Sequence, residues 1–572
     1  MKNLSITFIA LLTISFFQKC ANPGIVSGGP KDTIPPVLIS SYPEDQTLNF
    51  DDQTIILEFD EFIAADKIRQ SLIISPTTSN KFKHTIKKRT ITIKFEQPLQ
   101  DSSTYTFNFF DAITDITEKN PPENLVLAFS TGDFIDSLVV YGKVVELMTD
   151  KPLKKAVVGL YTKSDSLDLF NDIPTYFTTT NDFGQFRIQN IKYGEYKLMA
   201  FDDKNKNILL ESDEEQYGFK KGFFNPSTIE DSIHVKTIDV DASELKLISA
   251  RRSGLYYQMR YSKVIHNYKI IDRDTTIQLH SNLDDTGEII RFYNPFIGYP
   301  NDSIYAVIQA FDSLGNFLID TTYVSFQESS RKKGAFTSSL TPASNENIKK
   351  DQEFKIKFSK PISNWSNHKL TVEIDSVHSF QLEDYPAIWN HNFTELTFKP
   401  GINQQRIVDS VDLWKSMIVI DSIQPDSNLI LKRKLLDAYS GNKVSIHYDS
   451  ASFISVEQDS SFLIKGDYKY FVTEEYGTLT VQISNNDSSS YFIQLLPKGK
   501  TNPVNQLYNC STCIFRNIKP ATYTVRFLID SNSDKYWDIG NIHEDREPEP
   551  IIYSKQETEI RSNFDVQLNI SL

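Results

Sequence analysis

Oxygen-bearing side chains at alternating positions are the arrangement in this sequence that comes nearest to a chemical site. The stretch "DSNSDKYWD" places Asp530, Asn532, Asp534 and Asp538 within one loop-sized segment, and an earlier "DKNKN" places Asp203, Asn205 and Asn207 at matching spacing. Calcium takes about six to eight hard oxygens, and a loop that offers one at every second residue can wrap it. The EF-hand pattern is not met. Counting from Asp530, Lys535 stands where that loop needs glycine, and Asn541 stands where it needs a bidentate glutamate. Asp and Asn also cap their own backbone in turns. The loop is therefore either a Ca2+ site or a self-capped turn, and no other cofactor is indicated.

Cys510 and Cys513 form a CxxC. No βαβ context suggests a redox enzyme, and no nearby His or Cys pair completes a zinc site. In an exported chain the expectation is a local disulfide, or two thiols that never meet. The nine histidines are scattered, with no H-E-x-x-H, and no G-x-S-x-G turn occurs. Acidic pairs such as Asp60-Glu61 and Asp213-Glu214 are expected by chance in an acidic protein. Trp365, Trp389 and Trp537 have rings that could stack on sugars, although a sandwich core is the commoner place for such residues. The chain is expected not to be an enzyme.

The elements that would position these residues are strands. At 572 residues the chain is long enough for several domains. Its 27 Tyr and 39 Phe, with Ile, Val and Thr throughout, are strand composition. A net charge of −14 disfavours a nucleic-acid partner, which would need a basic stripe. The runs "TIILEF", "SLIIS", "TITIKF", "TYTFNF" and "LVLAFST" are short, alternating or β-branched, and separated by turn residues. That spacing predicts a sandwich rather than a βαβ sheet. Helical periodicity is confined to the region of Gln404–Trp414.

Residues 1–20 read as a targeting segment. Lys2 gives a positive start, and Ile6 to Phe17 is an apolar run too short to span a bilayer but suited to a signal peptide. No small-x-small cleavage site follows. Instead Phe17-Gln18-Lys19-Cys20 resembles the lipobox of bacterial lipoproteins, although Lys19 is larger than the residue usual before the cysteine. The resemblance implies lipidation at Cys20, with residues 21–34 as a flexible tether. No later stretch has transmembrane length, so attachment to a membrane would rest on Cys20.

Two pairs of stretches recur in the same order, roughly 300 residues apart. In "SYPEDQTLNFDDQTIILEFDEFI" and "LTPASNENIKKDQEFKIKFSKPI", Pro43 matches Pro342, Phe59 matches Phe358 and Ile63 matches Ile362. In "FRIQNIKYGEYKLMAFDDKNKN" and "CIFRNIKPATYTVRFLIDSNSD", Asn190 matches Asn517, Tyr196 matches Tyr523 and Asp203 matches Asp530. A duplicated two-domain unit accounts for both. The first stretch, with the lead "SGGPKDTIPP", resembles the bacterial Ig-like domain of Bacteroidota lipoproteins. "VVYGKVVELMTDKPLKKAVVGLY" and "NDFGQFRI" resemble the prealbumin-like or carboxypeptidase-regulatory-like domain, a small sandwich. The second copy has Ala521 where the first has the glycine of "YGEY".

The expected order is an Ig-like domain over 35–132, a prealbumin-like domain over 137–245 and a strand-rich module of unknown type over 246–337. A second Ig-like domain over 338–456 and a second prealbumin-like domain over 460–572 follow. The whole is expected to be all-β, tandem sandwiches in a multi-domain rod. Asp-Ser/Thr followed by an apolar residue or Thr occurs twelve times, from Thr33 to Ser450, and resembles the O-glycosylation site of exported Bacteroidota proteins. Together the resemblances imply an outer-membrane lipoprotein, facing either the periplasm or the cell surface. It would act as scaffold, spacer or binding subunit, with other envelope proteins as partners, as in an accessory subunit of an assembly or secretion complex. The rivals are a carbohydrate-binding array, which requires exposed Trp365, Trp389 and Trp414, and a hydrolase pocket within 246–337.

Overall fold

The structure, a computed structural model, describes residues 33–572 apart from 229–230, 274–277, 295–302, 350–351, 366–368, 377, 403, 421–425, 440–442, 471–474, 485–488, 555 and 572. Cys20, the apolar leader and most of the tether lie outside the described residues. The regular structure described is mostly strand, arranged as five successive sandwiches.

Strict alternation builds the first sandwich. Along Thr54–Phe59 the residues Ile55, Leu57 and Phe59 turn inward, and along Thr90–Phe95 so do Ile91, Ile93 and Phe95. They meet Phe107, Leu127 and Phe129 from the facing sheet. The first sheet runs Leu38–Tyr42, Thr54–Phe59, Thr90–Phe95, Phe82–Lys87; the second runs Ile73–Ser75, Thr104–Asn108, Val126–Ser130. The fourth sandwich repeats this plan. Its sheet Ser338–Thr341, Phe354–Phe358, Glu395–Phe398, Ala387–Trp389 has the same order, and Leu370–Glu373, Lys443–Tyr448 and Ile464–Tyr470 face it. Phe59 and Phe358 each end the second strand of their sheet, and Ile63 and Ile362 each open the next short strand; all four are buried. The fourth sandwich adds helices Gln404–Met417 and Ser427–Ala438 between two of its strands. The first was legible in the sequence. The second, whose N-cap Asp426 accepts from the Asn428 amide at 2.8 Å, was not.

The second and fifth sandwiches share a less common topology. Leu138–Glu146 pairs antiparallel with Gln185–Ile191 and parallel with Ile233–Thr237. Gly477–Ser484 pairs antiparallel with Thr512–Ile518 and parallel with Asp565–Ser571. The opposite sheets also correspond: Tyr176–Thr179, Val157–Thr162, Tyr196–Phe201, Tyr217–Phe219 in one, and Asn505–Tyr508, Ser490–Pro497, Ala521–Asp530, Ile551–Tyr553 in the other. Gly142 is required where the parallel strands approach, because a Cβ there would lie 1.9 Å from the Ile233 carbonyl oxygen. The recurring residues carry recurring geometry. Asn190 and Asn517 take left-handed backbone (φ 60° and 56°), a conformation Asn tolerates better than most residues. Tyr196 donates to the Lys192 carbonyl at 2.9 Å, and Tyr523 to the Lys519 carbonyl at 2.8 Å.

The third sandwich, Leu247 to Val324, is antiparallel throughout, with four strands facing three around Met259, Ile290, Phe292, Ala306 and Ile308. Its row of inward residues on Phe317–Val324 includes Asp320, which points one carboxylate oxygen inward without a hydrogen-bond partner. Burial raises the Asp320 carboxyl above the ordinary range, only partly offset by the Tyr261 hydroxyl beside it.

The tandem order does not extend into the expected rod. Along Tyr196–Phe201 all six residues are buried. Leu198 and Ala200 enter the sandwich's own core, while Met199 and Phe201 enter a second cluster on its outer face, with Tyr217 and Phe219. Leu528, Ile542 and Ile551 of the fifth sandwich join that cluster, as do Leu314 of the third and Ile73 of the first. The chain thus turns back, and the outer sheet of the fifth sandwich packs on the corresponding sheet of the second. The third meets the fourth through Asn282 Nδ2 on the Ser359 carbonyl and Tyr256 Oη on Glu457. The fourth meets the fifth through Asn347 Nδ2 on Tyr476 Oη. Sandwiches two to five close a ring, and the first stands outside it, docked to the second by Thr77 on the Pro174 and Thr175 carbonyls.

Candidate functional site

The two acidic loops fold alike. Asp530 is fully buried, and its carboxylate accepts from the Asp534 amide at 3.2 Å, the Lys535 amide at 3.1 Å and the Tyr508 hydroxyl at 2.9 Å. Asp203 accepts from the Asn207 amide at 3.1 Å and the Ile208 amide at 3.0 Å, again four and five residues on. Asn532 and Asn205 each accept from the amide two residues later, both at 3.0 Å. A glutamate buttresses each loop: Glu215 receives the Lys204 and Glu211 amides, and Glu549 receives the Ser531 and Asp538 amides. Both glutamates had no visible signal in the sequence, since they lie at different distances from their loops. Asp538 turns to Arg546, 3.0 Å away. The loop oxygens are thus engaged by backbone amides and by Arg546, the geometry of a capped turn. Among the described residues, no group of three or more His, Cys, Asp or Glu side chains is placed to hold a metal.

Cys510 and Cys513 are disulfide-bonded, across the mouth of the strand Thr512–Ile518. The tryptophans are packed, not displayed. Trp365, Trp389 and Trp414 lie against the core of the fourth sandwich, where Trp365 stacks on Phe453 and Trp414 on His378. Trp537 belongs to the cluster between the second and fifth sandwiches and donates to the Glu549 carbonyl at 3.3 Å. The Asp-Ser/Thr sites among the described residues include none that is buried; Thr275 and Ser422 lie outside them.

The junction between the second and fifth sandwiches has a polar frame around its apolar centre. Lys197, whose side chain is only 5% exposed, pairs with Asp545 on a turn of the fifth sandwich, and the same carboxylate accepts the Gly222 amide at 2.8 Å. Arg526 is buried, donates to Gln494 Oε1 at 2.9 Å and reaches across to the Met148 carbonyl at 3.0 Å. Tyr553 donates to the Leu147 carbonyl at 2.7 Å, and His543 Nε2 lies 2.7 Å from the Ala242 carbonyl. Lys197 and Arg526 are outward residues on strands that sequence patterning treats as solvent-facing. The apolar run "LMAF", Leu198 to Phe201, was the available sign that both faces of that strand are covered.

Polar side chains also collect between the first and second sandwiches, in a cleft of about 850 Å³. It lies outside the middle module, where a hydrolase pocket was expected as the rival reading. The family described as bacterial Ig-like domain matches residues 32–131, the first sandwich. No curated protein is significantly similar to the chain. Among solved structures it is similar to BcpA, the major pilin subunit of Bacillus cereus, at 10% identity over 76% of this chain and 99% of that one, with a TM-score of 0.12. It is likewise similar to domains 1–6 of the surface layer protein SbsC, at 11% identity over 93% and 67%, TM-score 0.14. An L,D-transpeptidase from Mycobacterium smegmatis matches at 11% identity over 29% and 76%, TM-score 0.13.

Proposed function

We propose that the protein is a non-catalytic lipoprotein, anchored to the outer membrane through Cys20, that serves as scaffold or binding subunit for other envelope proteins. The observation that carries this reading is the order apolar leader, cysteine, Gly/Pro-rich tether, Ig-like domain at the head of the chain. The ring of sandwiches supports it, since a closed body presents fixed loops to a partner where a flexible string would not. An accessory role in an assembly or secretion complex follows from the same reading. Two or three acyl chains, at ~0.8 kcal/mol per buried CH₂, hold a protein to a bilayer far more firmly than one.

The test is labelling with a fatty-acid analogue, followed by membrane fractionation and affinity purification from gently solubilised membranes. Wild type should carry label and fractionate with the outer membrane together with a protein partner. Cys20→Ala should lose label and become soluble or remain unprocessed. An unlabelled wild type removes the anchor from the reading; a labelled protein that copurifies with nothing removes the scaffold.

A further inference from the structure

The cleft between the first and second sandwiches has a volume of about 850 Å³, within the ~300–1,000 Å³ typical of small-ligand sites. One wall is the outer face of the sheet built on Leu138–Glu146. Alternation sends Val140, Val144, Phe186 and Ile188 to the core and leaves Tyr141, Lys143, Gln185, Arg187 and His234 on the other face. Register sets them in rows. Lys143 stands opposite Gln185 on one side and His234 on the other, and Tyr141 stands opposite Arg187. Asn108 and Asn124 of the first sandwich form the facing wall.

Three features of this lining point to a ligand. Among the described residues it is lined by Lys143, Arg187 and His234 and by no carboxylate, in a chain with 74 acidic and 60 basic residues. Among the described residues neither Lys143 nor Arg187 has an ion-pair partner; Arg187 Nε donates to Gln189 at 3.2 Å. The amides of Asn108, Asn124 and Gln189 offer both donors and acceptors. Thr106, which also lines the cleft, is 7% exposed and its hydroxyl has no hydrogen-bond partner. A buried hydroxyl in that state is a cost that a bound polar group removes.

We propose that this cleft binds an acidic oligosaccharide. Arg187 and Lys143 receive the sugar's carboxylate or sulfate, and the amides and Thr106 receive its hydroxyls. A peptide's apolar side chains would leave the amide lining unpaired. A nucleic acid would need basic charge continuing beyond the cleft, which a net charge of −14 does not provide. The site is independent of the tryptophans of the fourth sandwich and of the lipid anchor.

The test is calorimetric titration of the full chain in detergent at one salt concentration with tri-galacturonate, a heparin-derived tetrasaccharide, maltotriose and the oligonucleotide dT6. At least one acidic saccharide should saturate a single site and bind tenfold or more tighter than maltotriose, and the two arms show which anion is preferred. Arg187→Gln and Lys143→Gln should each weaken that binding about tenfold with the melting temperature unchanged, because both side chains lie on the outer face of the sheet. Should either variant melt early, Asn124→Ala on the facing wall gives an independent reading of the same loss. The proposal is overturned if neither acidic saccharide saturates, if maltotriose binds equally, if dT6 binds more tightly, or if the substitutions leave binding unchanged.

Discussion

Replacing Leu528 by Asp should open the ring. Leu528 lies on Ala521–Asp530, a strand whose Val525 and Phe527 fill the core of the fifth sandwich while Leu528 packs on Met199 and Phe201's cluster. The substitution therefore spares the sandwich and strikes the junction. Losing a buried leucine forfeits roughly 2 kcal/mol, and an unpaired carboxylate left in the apolar centre adds several more. A total of about 5 kcal/mol shifts the closed-to-open ratio by roughly three to four powers of ten. Leu528→Ala, which leaves a cavity but no charge, should cost about 2–3 kcal/mol, the low end for a buried leucine, and keep the ring closed in most molecules. Small-angle scattering reads the difference directly: Leu528→Asp should have a larger radius of gyration and maximum dimension than wild type, with an unchanged strand signature by circular dichroism. If scattering and melting of Leu528→Asp both match wild type, the junction contributes nothing and the ring is not a stable arrangement.

Three further outcomes are expected. Asp530→Ala should lower stability by about 3 kcal/mol, since two amides and a half-buried tyrosine hydroxyl lose their acceptor; chelator should leave the melting temperature of wild type unchanged, and a chelator-induced drop that Asp530→Asn abolishes would instead establish a Ca2+ site. Tyr196→Phe and Tyr523→Phe should each cost about 1 kcal/mol by denaturant unfolding, because each loses one hydrogen bond to a carbonyl four residues back. Asp320→Asn should stabilise the protein at pH 7: the folded-state carboxyl titrates above its unfolded value, so its favourable contribution is present at acid pH and lost as pH rises through the folded pKa. Melting curves of wild type and variant should therefore converge below about pH 4 and separate above it; parallel curves would show that Asp320 is well solvated.

The fold was legible where one side chain has one structural task. Phe59 and Phe358, Tyr196 and Tyr523, Asn190 and Asn517 could be paired from the sequence because each meets a local demand: an inward strand position, a carbonyl four residues back, a left-handed backbone. The backbone capping by Asp203 and Asp530 was legible for the same reason, the amides they accept from being four and five residues away. What could not be read was long-range. Glu215 and Glu549 reach their loops across different numbers of residues, so spacing hid their shared role. Lys197 and Asp545 are separated by most of the chain, and alternation alone treats an outward residue as solvated. The cleft residues Lys143 and Arg187 alternate as any solvent-facing charges do; only the first sandwich standing opposite makes a site of them.

The junction between the second and fifth sandwiches also has a history in time. Met199, Phe201, Tyr217 and Phe219 are made on the order of 300 residues before Leu528 and Ile551 exist to cover them. At about 5–20 residues per second, a ribosome needs some tens of seconds to produce the covering sheet. A chain that folds its sandwiches in order of emergence, at the ribosome or beyond the membrane it is proposed to cross, has a second sandwich with an apolar outer face and no cover until the fifth arrives. A nascent chain in this state is open to the wrong neighbour, including the same sheet of another copy, and a holding chaperone would find its substrate there.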